Sequence, residues 1–256
     1  MRSIEDIQGF KDSLSRKLAK SCEHAGPLPA QRTLSARDSM CSCKKEWLIQ
    51  SKAFEACVPR KFWNSTARDI FHNGPVYNGV IVKFQENLST AFDTGAGLFL
   101  HGPNGCGKTM FLSMLMMYCI RNTKLSCYYT TALQLDHDIK STFGNSKAAE
   151  ERGRRIERMV KSRIFVLDEL GKERFKGGDS YTRTKLELFL RNREEEKFPI
   201  LIASNKTPKS LRQSVEDGGY GETFGSIIDG SCLAVPMLPG DQRARQGKEL
   251  RKKMGY

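Results

Sequence analysis

No apolar run in these 256 residues approaches the length of a membrane span; the longest stretches, such as Phe111 to Ile120, fall well short of the ~20 residues required. The opening stretch, MRSIEDIQGFKDSL, is of mixed charge and lacks the apolar core of a secretory signal. A reducing compartment is therefore expected, the cytoplasm of a bacterium or of a host cell if the gene is carried by a phage, with no membrane partner. The eight cysteines are accordingly expected as thiols or metal ligands, not as disulfides. Internal repeats and low-complexity tracts are absent as well. Acidic side chains are scarce: 29 Asp and Glu face 42 Lys and Arg, a formal charge of +13 that points to an acidic partner. A hydrophobic fraction of 39% with 28% charged residues excludes collagen-like, acidic-disordered and membrane classes.

The excess charge is uneven. Residues 1–75 and 241–256 together carry +9 of the +13, leaving +4 for the 165 residues between. Composition changes near Gly74-Pro75. Before it cysteine, charge and Trp47 and Trp63 dominate; after it apolar runs alternate with amphipathic charged stretches. We expect a small N-terminal partner-binding domain over 1–75, an α/β domain over 76–245 and a basic tail over 246–256.

Within the α/β part, Tyr77 to Asp93 reads as a helix through Val80, Val82, Phe84, Leu88 and Phe92. Strand-sized apolar runs follow at Gly97–His101, Ser126–Thr130, Arg163–Leu167, Pro199–Ser204 and Leu233–Pro236. Helical patterns fill the intervals at Thr109–Ile120, Ala132–Ser141, Ala148–Lys161 and Thr182–Glu195. This order predicts a parallel, helix-flanked sheet.

The stretch Gly97-Leu-Phe-Leu-His-Gly102-Pro103-Asn104-Gly105-Cys106-Gly107-Lys108-Thr109-Met110 fits strand, G-x-x-x-x-G-K-[ST], then helix, the pattern of a phosphate-binding loop. Gly102 and Gly107 permit backbone angles that curl consecutive N–H groups around phosphates, and the next helix points its positive end at them. Lys108 supplies a charge to the β- and γ-phosphates of ATP, and the Thr109 hydroxyl reaches Mg²⁺. Cys106 and the methionines 110, 114, 116 and 117 are expected to pack. The run Ile164-Phe-Val-Leu-Asp168-Glu169 ends a strand in two carboxylates. Asp168 is assigned to Mg²⁺ and Glu169 to the attacking water, as Mg·NTP hydrolysis requires. Asn205, at the end of the next buried run, is expected at the same sheet edge and within reach of water or γ-phosphate.

These motifs, together with Cys57-Val-Pro-Arg-Lys-Phe, Tyr128-Tyr-Thr-Thr leading into Leu133, Asp168-Glu-Leu-Gly-Lys-Glu173 and the Arg193 to Pro199 segment, resemble the DnaC/DnaI family of AAA+ replicative helicase loaders. The ATPase domain of that family is similar to IstB-type transposition ATPases. The resemblance covers about residues 55–245, and Gly240-Asp-Gln-Arg243 looks like the family's terminal G-x-x-R pattern. It implies a five-stranded AAA+ sheet in order 5-1-4-3-2 with no full helical lid. It also implies ATP-driven deposition of a replicative helicase on single-stranded DNA, with self-association or a ring templated by the helicase. The family's arginine finger has no counterpart, since Ser226 occupies the corresponding position; Arg212 or Arg243 are alternatives, as is an adaptor that binds ATP without hydrolysing it. An IstB-like transposition helper is the other alternative.

Cys22, His24, Cys41 and Cys43 offer four soft ligands, and some relatives carry zinc in this region. Each pair is one residue short of the relatives' spacing, so Zn²⁺ and reduced structural cysteines both stay open. Trp47, Phe54, Phe62 and Trp63 among basic residues form either a partner surface or a small core. Arg152, Arg154, Arg155, Arg158 and Lys161 before the acidic strand end, and Lys172, Arg174 and Lys176 after it, suit a phosphate backbone or a solvated face. Trimming the basic tail after Arg243 should weaken single-stranded DNA binding and steepen its loss with salt while leaving ATP affinity unchanged; fluorescence anisotropy with a labelled oligonucleotide measures both.

Overall fold

The computed structural model describes residues 3–21, 42–65, 79, 82–84, 86–141, 147–172, 180–213, 219–240, 247–248, 250–252 and 254. Five strands, β1 (Gly97–His101), β2 (Cys127–Thr131), β3 (Ile164–Leu170), β4 (Ile200–Ser204) and β5 (Cys232–Pro236), form one sheet in the order β2-β3-β4-β1-β5. Every pairing is parallel, so the expected order 5-1-4-3-2 is the observed one. Helices α1 (Ile4–Ser21), α2 (Ser42–Glu55) and α3 (Leu88–Thr94) precede β1; α4 (Lys108–Asn122) follows it. Helices α5 (Ala132–Lys140) and α6 (Lys147–Lys161) lie between β2 and β3, α7 (Ser180–Glu195) between β3 and β4, and α8 (Pro208–Arg212) and α9 (Glu222–Ser231) between β4 and β5.

Side chains alternate across each strand, and both faces are covered, which is why the strands read as continuous apolar runs. On one face Leu98, Leu100, Tyr129, Val166, Leu201 and Val235 pack against α4, including the buried Met110, Met116 and Met117. On the other, Phe99, Tyr128, Phe165, Leu167 and Ile202 meet Leu135 of α5, Met159 of α6, Leu190 of α7 and Phe224 of α9. The sheet is closely packed at Gly97, where a Cβ would lie 2.0 Å from the Ile200 carbonyl oxygen.

The sequence pattern identified neither α1 nor α2. In α1, Ser3 and Asp6 cap each other's backbone N–H groups at 2.7 and 2.9 Å, and Ile7, Phe10 and Leu14 supply one apolar stripe. Phe10 stacks on Phe54 with centroids 4.1 Å apart, and the Arg60 guanidinium lies over both rings and over Trp63. Trp47, Phe54 and Trp63 are thus core residues, and Ala53, Phe54, Val58 and Trp63 belong to the same core as β1, β3 and α4. The Ala56 carbonyl accepts from the backbone N–H of Tyr129 at 2.8 Å, adding the segment to the outer edge of β2. Arg121 of α4 donates to the Trp63 carbonyl at 2.6 Å. The expected boundary near residue 75 lies outside the described residues, as do Cys22, His24 and Cys41 of the candidate zinc set; Cys43 is a half-buried free thiol. No helix among the described residues is long and apolar enough to cross a membrane.

At the end of the sheet away from the strands' carboxyl termini, Arg193 is 1% exposed. Its guanidinium donates to the carbonyls of Met159, Val160, Ser162, Arg163 and Pro199 at 2.9–3.4 Å, and it lies over the rings of Phe165, Phe189 and Phe198. Two of those carbonyls are the unsatisfied C-terminal groups of α6, so one cation ties α6, α7 and the entries to β3 and β4 together. Burial, and after it the neighbouring Arg163 charge, pulls its pKa down to about 9, which leaves it charged at neutral pH. Replacing Arg193 by methionine strands several buried carbonyls and should cost about 3 kcal/mol or more of stability, read as a lowered urea midpoint; lysine at this position should recover only part of the loss.

Candidate nucleotide site

The site is built where β1, β3 and β4 end side by side. The loop after β1 takes left-handed backbone angles at Gly105 (φ 82°) and Gly107 (φ 98°). Gly102 is pressed against β5's continuation, where a Cβ would meet the Met237 carbonyl oxygen at 2.4 Å. Lys108, 8% exposed, begins α4, and its ammonium donates to the Gly102 and Pro103 carbonyls at 2.7 and 2.8 Å and reaches the Cys106 thiol at 3.5 Å. Cys106 is fully buried and faces the core, so its contribution to the loop's open side is its backbone. Burial, and after it the Lys108 charge, holds the His101 imidazole below its ordinary pKa.

The acidic end of β3 departs from the expected form. The strand runs to Leu170, placing both carboxylates inside it, and its register with β4 slips by one residue between Leu167 and Leu170. Glu169 occupies this bulge at φ 61°, a conformation costly for a residue with a side chain and sustained here by the surrounding ladder. The Ser204 hydroxyl donates to the Leu170 carbonyl at 2.7 Å, and the Tyr220 hydroxyl accepts from Gly171 N–H at 3.1 Å, fixing the far side of the bulge. Asp168 is 2% exposed. One of its oxygens accepts from the Tyr129 hydroxyl at 2.6 Å, the other from Glu169 N–H at 2.8 Å. Burial, and after it the Asp168 charge, keeps the Tyr129 phenol well above its ordinary pKa, so it is a donor throughout the working range. Each carboxylate oxygen of Asp168 retains a second lone pair for a further partner.

These groups share one concavity. Its walls comprise Asn104, Gly105, Gly107, Lys108, Thr109, Met110, Asp168, Glu169 and Asn205, all singled out by sequence, together with Lys61, Phe62 and Lys172. Asn205 donates to the Asn104 side-chain oxygen at 2.9 Å, joining the ends of β4 and the loop, and Lys172 pairs with Glu169 at 2.6 Å. Lys61 and Phe62 were read as part of an N-terminal unit; the segment that carries them is held to the α/β part by the Tyr129 N–H to Ala56 bond, the Arg121 bond to Trp63 and shared core packing. Tyr129 was legible only through register: it pairs with Val166, and Asp168 pairs with Thr131, so Tyr129 and Asp168 are diagonal neighbours on one face. A carboxylate, the Thr109 hydroxyl and a ligand's own phosphates form a donor set that suits Mg²⁺, which seldom uses an all-protein cage. Among the described residues no group of three or more His, Cys, Asp or Glu is assembled for a metal ion.

Ser226 is exposed on α9. Arg212 reaches across the same helix face, its two terminal nitrogens engaged by Glu222 and Asp229, and its stem fills the space left by Gly225. Arg243 lies outside the described residues, as do Arg174 and Lys176. Of the basic group on α6, Arg152 donates to the Ser141 carbonyl, Arg155 meets Glu151 and Asp138, Arg158 lies over Tyr128, and Lys161 pairs with Glu157. Arg154 and Lys161 of that group are exposed, and Arg152, Arg155 and Arg158 are half-buried.

Fold and loop together define a P-loop nucleotide-binding domain of AAA+ type. The profile of the IstB-like ATP binding protein family matches residues 83–224, and the chain belongs to that family. The fold is similar to the crystal structure of DnaI (20% identity, TM-score 0.58, 70% of this chain and 94% of that one) and to that of the DnaC helicase loader (20%, 0.55, 70% and 100%). It is also similar to AMPPCP-bound DnaA from Aquifex aeolicus (18%, 0.54, 77% and 57%). No curated protein matches the sequence. Lys108→Ala should lower ATP affinity by at least about tenfold, the effect of losing one strong charge contact, in a titration with a fluorescent ATP analogue; full retention of affinity would remove the assignment of this loop.

Proposed function

We propose that this chain is an ATPase of the helicase-loader type, which couples its nucleotide state to deposition of a replicative helicase on single-stranded DNA. The observation that carries the enzymatic half is the convergence of Lys108, Asp168, Glu169 and Asn205, from three adjacent strand ends, on one concavity. In this reading the loop N–H groups and Lys108 bind the phosphates. Thr109 and Asp168 hold Mg²⁺, which when bound neutralises charge on the β- and γ-oxygens. The bulge carries Glu169 out of the sheet plane, where one oxygen is engaged by Lys172 and the carboxylate can orient a water and accept its proton. Asn205 positions the water or a terminal phosphate oxygen. Phe62 and Lys61 add an aromatic ring and a cation to the wall of the same concavity.

The process-level half is supported by fold likeness across nearly the whole of the chains in the DnaI and DnaC helicase loader structures, and the DNA partner by the basic excess of the chain. The membership in the IstB-like family favours a second reading, a transposition helper acting on duplex DNA. Ser226 favours a third, an adaptor that binds ATP without turnover, because Arg212 on the same helix face is already committed to Glu222 and Asp229.

Glu169→Gln should retain ATP affinity and lose turnover by about 10²-fold or more, the usual share of a general base, in a phosphate-release assay with and without single-stranded DNA. Robust turnover by the variant removes Glu169 from this role, whereas a wild-type chain with no turnover in either condition favours the adaptor. Affinity capture of the full chain with ATP and identification of the retained partner separates helicase from transposase.

A further inference from the structure

We infer that Tyr129 is a positioning residue that couples docking of the N-terminal segment to the carboxylate Asp168, and so to how tightly the site holds its cation. The inference rests on the Mg·ATP reading above. Among the described residues, Tyr129 joins the two regions through hydrogen bonds at both ends of a single residue. Its backbone N–H, on the outer edge of β2, donates to the Ala56 carbonyl at 2.8 Å, and its hydroxyl donates to Asp168 at 2.6 Å. The ring between is buried in the core that also contains Phe54, Val58 and Trp63. A shift of the segment therefore displaces the edge strand, and with it the phenol that orients Asp168.

The same segment carries Lys61 and Phe62 into the nucleotide wall, so it senses the site by two routes. The route through Tyr129 is distinct because it bears on the cation and not on the nucleotide base or phosphates. Outer-shell hydrogen bonds of this kind typically account for 10- to 100-fold in metal affinity. Coupling is reciprocal: what strengthens the cation site when the segment docks must strengthen docking when the cation binds.

The test uses the full chain and a fluorescent ATP analogue, titrated with Mg²⁺ from EDTA upward, for wild type, Tyr129→Phe, Arg121→Ala and the double variant. Arg121→Ala loosens the segment by removing the bond to the Trp63 carbonyl, at an exposed position away from the concavity. Tyr129→Phe is expected to raise the half-saturating Mg²⁺ concentration about tenfold while leaving affinity in EDTA nearly unchanged. Arg121→Ala is expected to raise it in the parent background and to add nothing in the Tyr129→Phe background. An unchanged Mg²⁺ dependence in Tyr129→Phe overturns the inference, as does an Arg121→Ala shift of equal size in both backgrounds. Absence of analogue binding by the wild-type chain at every Mg²⁺ concentration overturns the Mg·ATP reading itself, and this inference with it.

Discussion

Burying the carboxylate of Asp168 at the end of β3 is the constraint around which the site is arranged. A side chain 2% exposed and ionisable needs compensating hydrogen bonds, because desolvation otherwise outweighs any local attraction. Two donors meet this need, and each commits a different part of the molecule. Glu169 N–H reaches back to Asp168 at the residue where the chain turns left-handed, and that residue lies in the bulge between β3 and β4. The Tyr129 hydroxyl can reach only because β2 lies in a register that makes the two residues diagonal neighbours, and β2's outer edge is in turn held by Ala56. One buried carboxylate thus lies where the strained backbone, the acidic pair and the docking of a segment far away in sequence meet.

Arg193 solves the opposite problem at the other end of the sheet. Among the described residues no buried carboxylate lies beside it; five carbonyl dipoles compensate its charge. Carbonyls at a helix C-terminus are the natural acceptors for a cation, since they carry the negative end of the helix dipole. The two buried charges therefore sit where the architecture already favours each sign: the anion beside the chain ends where loop N–H groups gather, the cation where helix carbonyls accumulate. Neither depends on a long-range ion pair, and both survive salt better than the exposed pairs on α6 would.

The strands, the flanking helices and the phosphate loop were legible because each is written locally. Apolar runs of four to six residues have the strand's length, and the loop's glycines and Lys108 occupy fixed offsets. What escaped was written across distance. Helix α9, with Gly225 and Gly230 inside it, has poor intrinsic propensity and persists through burial of Phe224, Ile227 and Ile228. The bulge at Glu169 depends on β4's register, which no single stretch encodes. The aromatic residues before residue 64 looked like a separate small core or a partner surface; shared packing against α4 and the hydrogen bond to the β2 edge show that they extend the main one. Tyr129 was visible as part of a motif and silent as to role, because its partner is 39 residues away.

Ser226 sharpens the same lesson at the surface. Read locally, it marks a missing positive charge. In the fold, Glu222, Ser226 and Asp229 share one face of α9, and Arg212 crosses that face to meet both acids, its stem fitting where Gly225 has no side chain. The charge absent from the helix is thus supplied to the same patch from α8. It is neutralised there by two exposed carboxylates, each held by an ion pair worth little in water. Arg212 is thus engaged within its own subdomain, so the fold fills the charge gap that Ser226 leaves on α9 by pairing the cation locally with Glu222 and Asp229.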